Sequence, residues 1–469
     1  MPRFHLPNPV PRRPIRAAAL ALSIGLAGCQ SYQPRPLDLP AHADAFLART
    51  PDSQEVREFA QSLAAGVSQV TFDPSDGLTC PEAEVIALVY NADLRLARLR
   101  AGITRASADH AGLWEDPTLG VDLTRILQST PEPWKLFSTL GLTIPVSGRL
   151  AIEQQRADAQ HAAELARLAL REWAVRMSVR RAWREWSALD AQLAAGRDFL
   201  TRVDQVLAVV NKMEQAGEIA RTEARLFRIE KATRASDLAL LASSAARAEL
   251  ELRRLMGLAP NAPLRFHPQL HPQLQPHLAA PPPAATLEHT SLAIQVATAE
   301  YRAAERTLEL EVRKQYPDLH LSPGYGREDA QDQVLLGLSL PLPILNANRR
   351  AIAEARAQRE LARGAAETTL EQTVAAVRAT ELRLAAAETH RRTLENEIVP
   401  LVDAQYDDAR QVARLGEVNT LVLLESLKRQ HEAKLALVAA ARDEALAAVD
   451  LDELRGPPLS PTTPSPSTN

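Results

Sequence analysis

GLSLPLPILNANRRAIAEARA (337–357) changes character halfway along. Its first residues alternate apolar and small, Pro341 and Pro343 interrupt, polar residues turn the chain, and a charged Ala-rich run follows. The alternation has the period of a strand, and the later run has the composition of a helix. The same transition is written earlier as GLTIPVSGRLAIEQQRADA (141–159).

Other landmarks recur in the same order. EDPTLGVDLTRI (115–126) is echoed by QYPDLHLSPGYG (315–326), Pro117 matching Pro317. Ile144-Pro145 is echoed by Leu340-Pro341. EQAGEIARTEARLFRIE (214–230) is echoed by ARLGEVNTLVLLESLKR (413–429), Gly217 matching Gly416. One such coincidence is easy, but three at offsets of 200, 196 and 199 define a tandem duplication. Each unit reads helix, strand, strand, very long helix, break, helix.

In the first unit the pattern predicts a helix over 82–113 and strands over 118–126 and 136–144. Leu119, Val121 and Leu123 alternate with Thr118, Gly120, Asp122 and Thr124, while Leu136, Leu140, Leu142 and Ile144 share one face. The second unit repeats this over 318–326 and 333–340, with Val334, Leu336, Leu338 and Leu340 on one face. Strands of about nine residues with one apolar and one small or polar face match those of transmembrane β-barrels. A hairpin in a soluble sheet has the same alternation, so the pattern alone leaves both open.

Residues 148–213 contain no proline, and a helix of that span would extend about 100 Å. Trp186, Leu193, Leu200 and Leu207 are seven apart, as are Leu189, Gly196, Val203 and Val210, which makes a coiled-coil seam. Leu370, Val377 and Leu384 keep the spacing in the second unit, and Leu394 and Leu401 resume it. Pro400 is expected to kink that helix. Trp173, Trp183 and Trp186 have helical spacing and read as packing residues.

The composition agrees with long, closely packed helices. The chain has 469 residues, 46% of them hydrophobic but only 4% aromatic, and its net charge of −4 does not suggest a nucleic-acid binder. At the N-terminus, Arg3, Arg12, Arg13 and Arg16 precede the apolar run 17–28, the layout of a secretory signal too short to span a membrane. Its end, Leu26-Ala27-Gly28-Cys29, resembles a bacterial lipoprotein signal, in which Cys29 becomes acylated (a palmitate-type anchor). A plain signal with a coincidental cysteine is the alternative. Gln30 after the cysteine points, in such signals, to the outer membrane. Removing those four arginines takes the net charge from −4 to −8. Cys80, the other cysteine, is expected to be a free buried thiol.

The expected organisation is a signal peptide (1–28), a lipidated extension (29–81), a first repeat (82–264), a Pro/His-rich linker (265–285), a second repeat (286–455) and a disordered tail (456–469). His267, His271 and His277 could attract a soft metal, but a proline-rich linker is a poor frame for ligands, so no metal and no cofactor is assigned.

Four membrane strands cannot close a barrel, since the smallest outer-membrane barrels have eight, and an open edge in lipid costs several kcal/mol per unpaired backbone group. Two chains would supply eight strands and three would supply twelve. An eight-stranded interior fills with side chains, so a conducting lumen favours more.

The acylated N-terminus, the duplicated strand pair, the GLSLPLPILN…R hinge and the GE-containing break between long helices together resemble the TolC outer-membrane efflux family, over about residues 82–455. The resemblance implies an α+β membrane protein in which a homotrimer forms a twelve-strand β-barrel continued by a twelve-helix periplasmic tunnel. It implies a lipoprotein anchored in the outer membrane of a Gram-negative cell. Its partners would be outer-membrane lipid, a periplasmic adaptor (membrane fusion) protein and an inner-membrane pump of the resistance-nodulation-division (RND) type. Gly217-Glu218 and Gly416-Glu417 would be the periplasmic hairpin tips, with Arg414 and Leu415 in adaptor contact. Glu425 matches a gate carboxylate of the family and Glu223 is its counterpart in the first repeat. Val422 stands where the family has a second gate carboxylate, so half of that pattern is absent.

No catalytic residues are assigned. GxxxxGK[ST], HExxH, CxxC, the EF-hand loop and GxSxG are all missing from the sequence, which reads as a non-enzyme. The reading that results is the passive exit duct of a tripartite efflux system for small toxic compounds or metal ions. The alternatives are the conduit of a type I protein-secretion system and, in another class, a periplasmic coiled-coil adaptor.

Overall fold

The computed structural model describes residues 31–64, 72–127, 134–270, 284–328, 331–414 and 420–457. It divides into two units, residues 1–48 and 49–469. The first contains a short helix, α1 (Leu39–Leu47), whose start is capped by Asp38 accepting from the Ala41 N–H at 3.0 Å. The second carries all the other elements described.

Four strands form one antiparallel sheet in sequence order: β1 (Thr118–Arg125), β2 (Trp134–Ile144), β3 (Leu319–Glu328) and β4 (Gln331–Ser339). Each lies within two or three residues of its predicted span. The register pairs Leu119 with Leu140, Leu123 with Leu136, Leu142 with Leu321, and Leu321 with Leu338. Directly opposed residues share a face. One face is therefore mainly apolar across all four strands, with Ser138 within it and Arg125, Arg327 and Asp332 at its end away from the helices. The other carries Thr118, Gly120, Asp122, Thr139, His320, Ser322 and Gln333, with a Lys135–Glu328 ion pair between β2 and β3. The alternation of the two repeats is in phase, although β2 and β3 are joined only through the whole first helical hairpin.

Each strand continues into or out of a helix. α4 (Ala92–Asp109) leads to β1, β2 leads to α5 (Arg149–Ala216), α8 (Leu292–Arg313) leads to β3, and β4 leads to α9 (Arg349–Thr393). These helices pack side by side in the order α4–α5–α8–α9, which is the strand order. At both downward hinges the residue before the helix adopts a left-handed backbone: Gly148 at φ 70° and Asn348 at φ 54°. Asn348 tolerates it because its Nδ2 donates to the carbonyl and the carboxylate of Glu311, both at 2.8 Å. Arg149, next to Gly148, donates to Asp318 and to Glu115, both at 2.7 Å, tying together the entries to β3 and β1.

The predicted helix over 82–113 is two helices. α3 (Cys80–Tyr90) begins two residues early because Thr79 and Glu82 form a capping box, and Asn91 breaks the run. The Asn91 side chain accepts from the N–H groups of Asp93 and Leu94, which starts α4 afresh. Residues ahead of 82 are packed into the same core. Val56, in α2 (Gln54–Ala64), and Leu78 and Cys80 are buried in one core with Val179, Trp183, Leu252 and Met256. Trp183 is fully buried, edge-on to Trp186 and Phe266 at 5.8 and 5.4 Å, and its Nε1 donates to the His267 carbonyl. Trp173 is buried too, so all three tryptophans pack. Residues 265–267 are strapped to Leu78 by the bonds Leu78 N–H to Arg265 O and His267 N–H to Leu78 O. The linker is also shorter than expected at its far end, since α7 (Ala284–Thr290) is helical from 284. The lipoprotein signal with Cys29, and the tail from 458, lie outside the described residues.

The seam of α5 holds over its predicted length: Trp186, Leu193, Val203 and Val210 are buried and the intervening seam positions are half-buried. α6 (Arg221–Leu255) returns beside it. In the second repeat the effect of Pro400 is one π turn, Leu394–Ile398, after which α10 (Val399–Arg414) continues. Pro400 has no N–H for the Asn396 carbonyl, and the wider turn, with Val399 N–H bonded to Leu394 O, makes room for its ring. The extra residue also shifts the heptad phase. Leu394 is buried, but Leu401 is exposed and Tyr406 is buried in the inward position beyond it. α11 (Thr420–Arg455) closes the second hairpin.

Trp183→Ala is expected to destabilise the chain by about 3–5 kcal/mol. Thermal unfolding of the detergent-solubilised protein measures this, with the exposed Tyr32→Ala as the comparison that should change little.

Candidate channel wall and helical tips

The sheet and the helical tips lie at opposite ends of α5, whose 68 residues span about 100 Å. At its far end Gly217 takes φ 76° and closes a Schellman turn: Gly217 N–H bonds Glu214 O, and Glu218 N–H bonds Met213 O. A Cβ would strain that backbone, which is why glycine marks the break. Ile219, just beyond, packs on a small core of Val210, Ala224, Phe227 and Leu424. Leu424 comes from α11, so this core joins the two repeats near their tips. A second cluster higher up (Phe199, Val203, Tyr406, Leu423, Leu427) joins α5, α10 and α11.

Glu223 sits in the first turn of α6 and accepts from Thr420 Oγ1 at 3.0 Å, across the two hairpins. Thr420 is buried at the start of α11. Glu425 is placed differently. It stands on the exposed side of α11 and is held by Arg429 one turn on at 2.9 Å, and Val422 beside it is exposed as well. The two predicted gate carboxylates therefore have separate partners, one neutral and one cationic. Arg414 ends α10, and Leu415, Gly416 and Glu417 lie outside the described residues. The Arg429 partner was readable as an i,i+4 pair. Thr420 was not, because it is far from Glu223 in sequence.

Behind the tips, His431 is buried and stacked on Phe199, with ring centroids 4.4 Å apart. Burial pushes its pKa below the ordinary 6.5, and the charges of Arg234 and Lys434 push it further than Glu230 and Asp198 restore it. Cys80 is free and buried, with its thiol pushed up to about 12, chiefly by burial. Among the described residues no group of His, Cys, Asp or Glu could hold a metal ion. His267 sits on the Asp76 carbonyl, and His271 and His277 lie outside the described residues. No described helix is long and apolar enough to cross a membrane.

A short sheet with one apolar face, set on a palisade of long helices in strand order, defines a class: the fold is that of bacterial outer-membrane channels. No protein-family model matches the chain, and no curated protein matches it by sequence. Solved structures do. CusC, described as forming a transmembrane channel, superposes with TM-score 0.70 at 16% identity, covering 92% of this chain and 99% of that one. The outer-membrane channel OprN gives 0.71 at 17% identity, covering 87% and 97%. The outer membrane protein VceC of Vibrio cholerae gives 0.67 at 17%, covering 80% and 96%. The likeness spans nearly the whole fold, and it is a channel fold rather than that of an enzyme.

Two outcomes follow for the tips. Arg429→Ala should leave Glu425 uncompensated and shift single-channel selectivity toward cations, while Glu425→Ala should shift it toward anions. Reversal potentials at low salt read both, and no shift in either variant would take the pair out of the conducting path. His431 binds a proton less readily folded than unfolded, so stability should fall as pH drops below 6.5 toward its depressed folded value. Thermal unfolding of wild type and His431→Phe across that window should show a flatter pH slope in the variant.

Proposed function

We propose that three copies of this chain form the exit duct of a tripartite efflux system in the outer membrane. The observation that supports it most is the sheet: mainly apolar on one face in all four strands, polar on the other, and unpaired at both edges. From Trp134 to Ile144, β2 runs eleven residues. That is about 33 Å along the strand, or near 25 Å of height at the usual barrel tilt, which fits the apolar band of an outer-membrane barrel.

In this reading the apolar face meets lipid and the polar face lines a lumen. Three chains give twelve strands, and their helices continue the wall across the periplasm to the Gly217 and Gly416 tips. Those tips, with Arg414 and Leu415, would receive a periplasmic adaptor, and Glu223 and Glu425 would stand at the entrance. An RND-type inner-membrane pump would supply the energy and select the cargo, small toxic compounds or metal ions. Acylation at Cys29 would hold the extension to the membrane.

Full-length protein in detergent should run as a trimer and form ion-conducting pores in planar bilayers. A monomer without conductance would sink the reading. Cys29→Ser should abolish globomycin-sensitive processing, and unaltered processing would remove the anchor while leaving the channel.

A further inference from the structure

The duplication gives each chain two copies of every strand entry and hinge, one inside the sheet and one at a free edge. The entry to β3 and the hinge after β2 are interior; the entry to β1 and the hinge after β4 are edges. All four lie at the helical end of the strands, so lipid would treat them alike. Their sequences differ by position. The edge entry carries Leu113 and Trp114 where the interior entry, 200 residues on, carries Arg313 and Lys314. The edge hinge carries Leu342, Ile344 and Leu345 where the interior hinge, offset by 196, carries Val146, Gly148 and Arg149. The edge residues are open in the single chain: Leu113 is 63% exposed, Trp114 58%, Leu342 71%, Ile344 77% and Leu345 89%. At the hinges the large apolar side chains are thus concentrated where the chain ends its sheet, with Val146 the interior exception; at the entries the apolar residues shift from Val312 and Tyr316 inside the sheet to Leu113 and Trp114 at its edge.

Every strand pair in the sheet is antiparallel. With all helical bodies on one side of the membrane, β1 can meet only a β4 in that sense, because β1 against β1 would run parallel. A second copy therefore brings its β4 hinge to the base of the first copy's β1. The apolar faces stay on one side across the join.

We infer that Leu342, Ile344 and Leu345 of one chain pack against Leu113, Trp114 and Leu119 at the β1 entry of a second copy, forming an apolar clasp at the base of the ring. The clasp rests on the ring reading and names the contact that closes it. It also explains why the second hinge is the PLPIL form and the first is not.

Cysteine cross-linking tests it in the full-length protein in outer-membrane vesicles. The double variants Leu345→Cys/Trp114→Cys and Leu345→Cys/Leu119→Cys are treated with a short bismaleimide. Within one chain β1 and β4 are three strand spacings apart, about 14 Å, so product between chains is favoured. Cys80 stays silent because its thiol is buried and pushed up to about 12. The expected result is a shift to two and three times the chain mass in at least one double variant, and in none of the single variants. A conducting trimer without that product overturns the clasp and leaves the channel reading standing. A monomer overturns both. Full labelling of Leu345→Cys by a lipid-soluble maleimide in the assembled trimer would put lipid in place of the second copy and overturn the clasp as well.

Discussion

The constraint on which the rest depends is that a strand edge cannot stay unpaired in hydrocarbon. Each bare N–H or C=O there costs several kcal/mol, and this sheet has two edges, β1 and β4. In water such an edge would be a nuisance to be blunted with charge or a bulge. Here β4 carries Val334, Leu336 and Leu338 on one face and is followed by Leu340-Pro341 rather than by a gatekeeper charge. A sheet so built would be stable in lipid only as part of a closed ring, and in the proposed ring closure would fix how the long helices below stand.

The helices obey the same order as the strands because each grows directly out of one. That places the strain of the design at the hinges. Gly148 and Asn348 turn the backbone through the left-handed region, and Arg149 bridges Glu115 and Asp318 so that the strand entries of the two repeats move together. Farther down, a charge network borders the apolar core around Trp183. Glu84 receives Arg176 and Arg180, Arg180 reaches Asp452, and Arg181 pairs with Asp450 and Glu453. A buried carboxylate such as Glu84 is tolerated only with such partners, so the network specifies which helix faces which more than it adds stability.

Much of this was legible in the sequence because it is periodic. Alternation located the strands, the seven-residue spacing located the α5 seam, and duplication showed that the two sets of strands belong together. What stayed hidden depends on contacts distant in sequence or on one local exception. Asn91 interrupts a run that composition alone makes a single helix, since its side chain offers the backbone an alternative cap. The capping box at Thr79 starts α3 before the first residue that looked helical. Pro400 was visible, but a π turn rather than a break was not, and with it went the inward position assigned to Leu401. At the tips the family resemblance pointed to Glu425 and, through it, to Glu223; the Arg429 partner of Glu425 is one helical turn away in sequence, and only the fold gives Glu223 its Thr420.

That difference bears on how a tandem duplication can diverge inside a symmetric ring. Three-fold symmetry would repeat each chain's residues, but it would not make the two halves of one chain equivalent. The tips of the first and second repeats would alternate around the entrance, so one could be latched while the other carried charge. Glu223, half-buried and bonded to a neutral hydroxyl, suits a structural tie between hairpins. Glu425, exposed beside Val422 and paired with Arg429 of its own helix, would in the proposed channel suit a surface that meets passing ions. The hinges have divided too, with Val146, Gly148 and Arg149 inside the sheet where Leu342, Ile344 and Leu345 stand at its edge. In the proposed ring, duplication supplies the staves, and the departures between the copies would mark where a stave meets its own chain and where it meets another.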